Sequence, residues 1–432
     1  MVRQHALHIS AIIAKAQLGP LQGLLDEMAH DPGGNSILPF AGLDGVHFGR
    51  LLLVPGAFTN TGEWLPDTLV LTTNFDGSPA RHLRQLAEVG GEGLDQLFSH
   101  CADYPSSSNR NVGSREAYLD QHSCKVAAFY VNTRGRNLEQ VADEARLHQS
   151  IQDYLDRMPG TLERKPSEVY SDIQAFLRQS SEFEWALTPV TSDFLGSLLR
   201  WLKLTLAGLA ALASAILLWS YPLVALVMAL IFLAILRAHE LGNVAENFRP
   251  PNIRIAMRQS EEEQQTQNQL SSVGFVQTGL FRRVLIFLCL WSLDFANRNI
   301  FYRGQLAGVD TIHFARWVMS DSNRRVLFLS NFDGSPETYQ DDFIERVALG
   351  LNLVFSNGRG WPKSHYLVFG GASDEQAFRA FYRDHQIPTQ VWYAAAPYQG
   401  STAVNIARNS AIRAGLCQKL NSHECQKWLQ LF

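Results

Sequence analysis

The sequence lacks the short signatures of the commonest enzyme classes. There is no glycine-rich dinucleotide loop in a strand-to-helix setting, no P-loop, no HExxH pair and no GxSxG elbow. Nucleotide-dependent, zinc-hydrolytic and serine-hydrolase chemistries therefore have no basis in it. Cysteine is scarce: Cys101, Cys124, Cys289, Cys417 and Cys425 are odd in number and form no CxxC pair. That argues against a disulfide framework or a zinc site and suggests a reducing compartment. The net charge is -4 and basic residues form no long run, so no nucleic-acid partner is expected. The segment Met1–His5 has no apolar signal-peptide core and is expected to lead directly into the fold.

What the chain does contain is a duplication. Val46-His47-Phe48-Gly49-Arg50 returns as Ile312-His313-Phe314-Ala315-Arg316, and Asn74-Phe75-Asp76-Gly77-Ser78-Pro79 returns as Asn331-Phe332-Asp333-Gly334-Ser335-Pro336. Weaker matches extend it: Ala41–Asp44 with Ala307–Asp310, Leu97–His100 with Val354–Asn357, and His122 before Phe129-Tyr130 with His385 before Trp392-Tyr393. Blocks repeated in order at similar spacing mark a duplicated domain. A chain of 432 residues also suits two ordinary domains plus connecting material.

Between the copies, residues 204–236 are uncharged, roughly 33 positions where one span needs about 20. A single straight helix would run about 50 Å against a hydrocarbon core of about 30 Å. Trp219-Ser220-Tyr221-Pro222 lies in the middle, with interfacial aromatics and a helix-breaking proline, so a membrane hairpin is expected. Arg200, Lys203 and Arg237 flank it and assign both ends, and thus both copies, to the cytoplasmic side of a membrane. The alternative is a helical pair buried in a soluble core. The apolar run around Val284–Trp291 is bracketed by Arg282, Arg283, Asp294 and Arg298 and is too short to cross. It is expected to be a buried or membrane-facing helix.

Periodicity predicts β-α-β-β-α-β in each half, followed by a closing helix. The first half has strands at 6–14, 47–54, 68–75 and 125–132, with helices at 19–30, 79–100 and 114–121. The second has strands at 270–277, 311–319, 325–332 and 389–396, an extra strand at 365–369, and helices at 280–300, 337–355 and 374–385. The closing helices are 138–155 and 402–416. The expected class is α+β: two ferredoxin-like repeats (1–158 and 268–432), a helical linker (159–198), the membrane hairpin (199–238) and a polar linker (239–267).

Two such units in one chain resemble the dimeric α+β barrel superfamily, which includes dye-decolourising peroxidases, chlorite dismutase-like haem proteins, small monooxygenases and isomerases. The whole chain also looks like an uncharacterised bacterial membrane family of this layout. The resemblance implies two facing sheets within one molecule. Phe332-Asp333-Gly334 is similar to the tail of the Gly-x-x-Asp-Gly motif of the peroxidases, which makes haem a conceivable cofactor. No haem ligand can be carried over from it.

An antiparallel hairpin of the second and third strands would bring His313 and Arg316 near Asn331 and Asp333, and His47 and Arg50 near Asn74 and Asp76. A histidine beside an aspartate can serve as an oriented general base or as a haem ligand whose other ring nitrogen the carboxylate holds. His313, Arg316, Asn331, Asp333, His47 and Asp76 are thus the candidate catalytic residues. Strand alternation sends His313 and Arg316 to opposite faces unless a bulge intervenes. Asp-Gly-Ser-Pro also has a purely structural reading: a turn, a serine N-cap and a proline at the first helical position. His122 and His385 are expected to close helix ends. Two functions follow: a membrane-anchored oxidoreductase acting on a small apolar molecule, or a membrane-tethered module that binds or scaffolds without catalysis. A lipid-handling role for the hairpin and the helix near Trp291 is a third class.

Overall fold

The computed structural model describes residues 2–59, 61–158, 164–189, 194–243, 266–302 and 304–432. Much of the polar linker expected at 239–267, and parts of the helical linker expected at 159–198, lie outside the described residues. The chain is α+β, with antiparallel sheets and two apolar helices. Its first half comprises β1 (Gln4–Ile12), α1 (Leu18–Met28), β2 (Val46–Val54), β3 (Thr68–Asp76), α2 (Pro79–Val89), α3 (Gly91–Phe98), α4 (Val112–Gln121), β4 (Val126–Val131) and α5 (Leu138–Arg157). Then come α6 (Pro166–Gln179), α7 (Phe194–Ser220) and α8 (Pro222–Leu241). The second half comprises β5 (Gln267–Phe275), α9 (Leu280–Asn299), β6 (Ile312–Ser320), β7 (Arg325–Asp333), α10 (Pro336–Arg346), α11 (Ala348–Phe355), α12 (Glu375–His385), β8 (Thr389–Ala394), α13 (Ala403–Leu416) and α14 (Ser422–Leu429).

Two differences from the expected elements have local causes. The helix expected over 79–100 is broken between α2 and α3, where Gly91 takes a left-handed φ of +43° that a helix cannot continue through. The strand expected at 365–369 is a tight hairpin of two-residue strands, Ser364–His365 and Phe369–Gly370, outside both large sheets. Tyr366 and Leu367 turn it with positive φ.

Each half places its last strand in the other half's sheet. One four-stranded sheet runs β1-β3-β2-β8 and the other β4-β6-β7-β5, all neighbours antiparallel. Before leaving, each last strand touches its own half at a seam: Ser10 N–H donates to His122 O and Cys124 N–H to His8 O, while Ile387 N–H donates to Ser271 O. The sheet edges are therefore tied to one another at one end of each seam.

Every position of β2 is buried, which one covered face cannot achieve. Leu51, Leu53, Leu69 and Leu71 point outward onto α1–α4, packing on Leu25, Leu86 and Leu97. Leu52, Val54 and Val70 point inward and meet Val318, Leu327 and Leu329 of the second sheet. The second sheet is covered outside by α9–α12 through Ile286, Phe343, Val354 and Phe378. Alternation along strands thus builds four layers: helices, sheet, sheet, helices. The closing helices α5 and α13 join α6 and α14 in a separate cluster around Ile151, Ile173, Ile412 and Trp428.

No residue of α7 is buried, and only Leu236 and Glu240 of α8 are, which rules out the buried core pair. Both helices are long and apolar enough to cross a membrane. Tyr221 separates them, and Pro222 begins the second. Their far ends return to the folded body: the Arg200 guanidinium lies 3.9 Å above the Tyr302 ring, and His239 stacks on Phe281 at 4.9 Å.

Because the halves are interleaved, residues 1–189 and 266–432 expressed together as separate chains are expected to co-purify in equal amounts. Each half alone would leave a β2-type edge unpaired and is expected to aggregate or self-associate. Monomeric elution of each half on size exclusion would contradict the exchange.

Candidate functional site

The repeated His-x-x-Arg block stands on a β-bulge. The β2–β3 register shifts between Val46 and Phe48, and the β6–β7 register shifts between Ile312 and Phe314. The extra residue reverses the alternation at that point. Val46 faces the outer helices, whereas Phe48 faces the second sheet, and His47 turns inward onto Phe314 at 5.3 Å. His313 likewise packs on Phe48 at 5.6 Å. The bulge is what lets histidine and arginine share the space between the sheets.

Each histidine meets the aspartate of the second repeated block. His313 Nε2 is 2.7 Å from Asp333 Oδ1 and shares a hydrogen bond with it, while His47 Nε2 stands 3.0 Å from Asp76 Oδ1, off the hydrogen-bond line. The second carboxylate oxygen serves a helix. Asp333 Oδ2 accepts from Ala403 N–H at 2.7 Å, and Asp76 Oδ2 accepts from Leu138 N–H at 2.8 Å. Ala403 and Leu138 are the first residues of α13 and α5, whose opening N–H groups have no partner within the helix and attract negative charge. The side chains of His47, Asp76, His313 and Asp333 are exposed by 0%, 9%, 1% and 6%.

Tyr398 was not legible as a site residue. It follows β8 in a loop that is longer than its counterpart after β4, and its Pro397-Tyr398 pair was the only signal. Its buried hydroxyl lies 2.6 Å from His47 Nδ1, and its ring meets His313 edge-on at 5.1 Å. Burial and the two nearby aspartates raise its pKa well above the ordinary phenol value, so it stays protonated.

The arginines do not join the histidine next to them in a single pocket; they cross. Arg50 donates to Leu270 O, Ser271 Oγ and Gln269 Oε1 through Nη1, and to Ser330 O and Asn331 Oδ1 through Nη2. Arg316 donates to Leu7 O, Thr72 Oγ1, Thr73 O and Asn74 Oδ1 in the first sheet. Asn331 also accepts from Trp392 Nε1 and faces Asn74 at 3.4 Å. Burial pulls the Arg50 pKa down to about 9; burial and then repulsion from Arg50 lower that of Arg316. Both acceptor sets are oxygen atoms, which suit the protonated form. His8 lies between the same sheets, and neither ring nitrogen has a hydrogen-bond partner among the described residues.

The residues do not fit a haem. Both His47 ring nitrogens face protein groups, and the His313 ring is packed among Asp333, Phe48 and Tyr398. No group of three or more metal-ligating side chains occurs among the described residues. His122 and His385 each point Nδ1 back at a carbonyl four residues earlier, Tyr118 O and Phe381 O, at the ends of α4 and α12. Neither joins the His–Asp pairs.

An open cleft of about 470 Å³ lies beside this cluster, where β5 and β8 diverge. Asp31, Gly33, Gln267, Trp392, Tyr393 and Gly400 are among its walls. Gln267 donates to Tyr398 O and Ser401 O and so holds the loop that carries Tyr398. No protein-family model, curated protein or solved structure matches this chain.

Replacing Arg50 with Met would remove the donors that Leu270 O and Ser330 O meet between the sheets and leave Asn331 Oδ1 with Trp392 Nε1 alone. The expected loss is roughly 3 kcal/mol or more of unfolding free energy, measured by chemical denaturation. Stability should also fall in acid. Burial pushes His8 down to about 3 and His82 down to about 4. The unfolded chain binds these protons below about 6.5, so it gains protons first, and stability falls from about pH 6.5 towards 4. Each histidine contributes a slope of up to about 1.4 kcal/mol per pH unit, and His8→Gln should remove one such share.

Proposed function

We propose that this protein is a membrane-anchored, non-catalytic binding module whose small-molecule site is the cleft between β5 and β8. The observation that carries this reading is the contrast between sealed and open groups. Both His–Asp pairs are enclosed and already committed to helix N-termini and Tyr398. A general base must come within hydrogen-bond reach of a substrate proton, and neither pair offers a path to one. The cleft beside them is open and joins the aromatic surfaces of Trp392 and Tyr393 to the exposed amide of Gln399, the usual composition of a small-ligand site.

The strand exchange and the seam hydrogen bonds support a finer fold reading: two ferredoxin-like βαββαβ repeats that close an intramolecular counterpart of a dimeric α+β barrel. The length and exposure of α7 and α8 support membrane anchorage. Arg200, Lys203 and Arg237 at their feet favour a cytoplasmic position for both halves. An apolar, flat molecule is the ligand class that suits the cleft. No observation favours the oxidoreductase reading of His313, Arg316, Asn331 and Asp333.

Haem titrated into detergent-purified protein is expected to give no saturable Soret band. A ligand found by thermal-shift screening should lose its effect in Thr266→Trp, which fills the mouth of the cleft, and keep it in His313→Gln. A Soret band that disappears in His313→Ala would overturn the proposal.

A further inference from the structure

We infer that α9 is an interfacial helix that lies in the plane of the bilayer surface, with lipid as the occupant of its exposed apolar face. This rests on the proposed anchorage by α7 and α8 and adds a second, in-plane contact with the same membrane.

The helix is two-faced. Ile286 and Leu290 are buried in the core of the second sheet and Leu285 beside Leu236 and Leu367, while Leu280, Val284, Phe287, Leu288 and Trp291 are exposed, Leu280 by 78% and Phe287 by 64%. At about 100° per residue the five exposed side chains fall within an arc of roughly 100°, a continuous stripe. An apolar stripe of this size on water would be costly, at about 25 cal/mol per Å² left uncovered.

The position of α9 identifies what covers it. One end sits under α8, where Phe281 stacks on His239 and lies 6.0 Å from Phe232; just past the other end, Tyr302 lies under Arg200 of α7. A 20-residue helix spans about 30 Å, so the feet of both anchors stand at opposite ends of α9. Two anchors that leave the folded body for the same bilayer fix both ends of α9 at the membrane boundary, and its axis therefore runs along that boundary. Arg283 is exposed beside the stripe, where it suits anionic headgroups, while Arg298, also exposed, is paired with Asp294 at 2.6 Å. The stripe is thus continuous with the anchors, and a soluble partner would have to displace lipid to reach it.

The test uses the full chain in phosphatidylcholine–phosphatidylglycerol nanodiscs, with the photoreactive analogue benzoylphenylalanine placed at position 287 or, as a control, at position 212 in α7. Mass spectrometry of the irradiated protein should find lipid adducts at both positions. The adduct at 287 should be lost when Leu288→Glu and Trp291→Glu are combined, while that at 212 persists. Lipid at 212 with none at 287, or a cross-link from 287 to a protein or a second copy, would overturn the interfacial helix and leave the anchor standing. Absence of lipid at both positions would remove the anchor reading and the helix proposal with it.

Discussion

Arg50 and Arg316 cross between the sheets in opposite directions, and each ends among oxygen atoms that belong to the facing sheet. No carboxylate contacts either guanidinium among the described residues. Taking such a charge out of water costs several kcal/mol, offset only when nearly every N–H finds an acceptor in good geometry. That requirement is severe. It fixes the distance between the sheets and the register of β5 with β7 and of β1 with β3, because shifting any of these strands would strand a buried donor. The exchange of last strands works towards the same end, since neither sheet is complete without the other half.

The histidine end depends on this arrangement. The bulges at His47 and His313 turn the imidazoles into a space whose width the arginines set, and Phe48 and Phe314 fill the remainder by packing on the opposite histidine. Asp76 and Asp333 then link strand ends to the first turns of α5 and α13. Groups that would be reactive in the open are here used to hold helices. Tyr398 breaks the symmetry: only the second half carries it, on the loop that borders the cleft.

The apolar helices α7, α8 and α9 follow a different logic, in which exposure is the informative quantity. Exposed apolar side chains run along α7, most of α8 and one face of α9, and α7 and α8 are long and apolar enough to cross a membrane. The contacts of Arg200 with Tyr302 and of His239 with Phe281 connect that surface to the body at two points, which restrains its tilt more than one linker would.

Much of this was legible in the residues. The repeated blocks announced two equivalent halves; alternation and turn chemistry located the eight main strands to within a few positions; and the uncharged run broken at Tyr221-Pro222 announced a bent apolar pair. The proximity of His313 to Asp333 followed from hairpin geometry alone. These features are local, set by spacing, turns and period. Strand partners are not, because a strand pattern specifies which face is apolar and says nothing of whose edge it joins. Hence the crossing of β4 and β8 into opposite sheets, the pairing of Arg316 with Asn74 instead of Asn331, and the role of Tyr398 were decided only by tertiary structure, where contacts between residues far apart in the chain select one arrangement from many that local patterns allow.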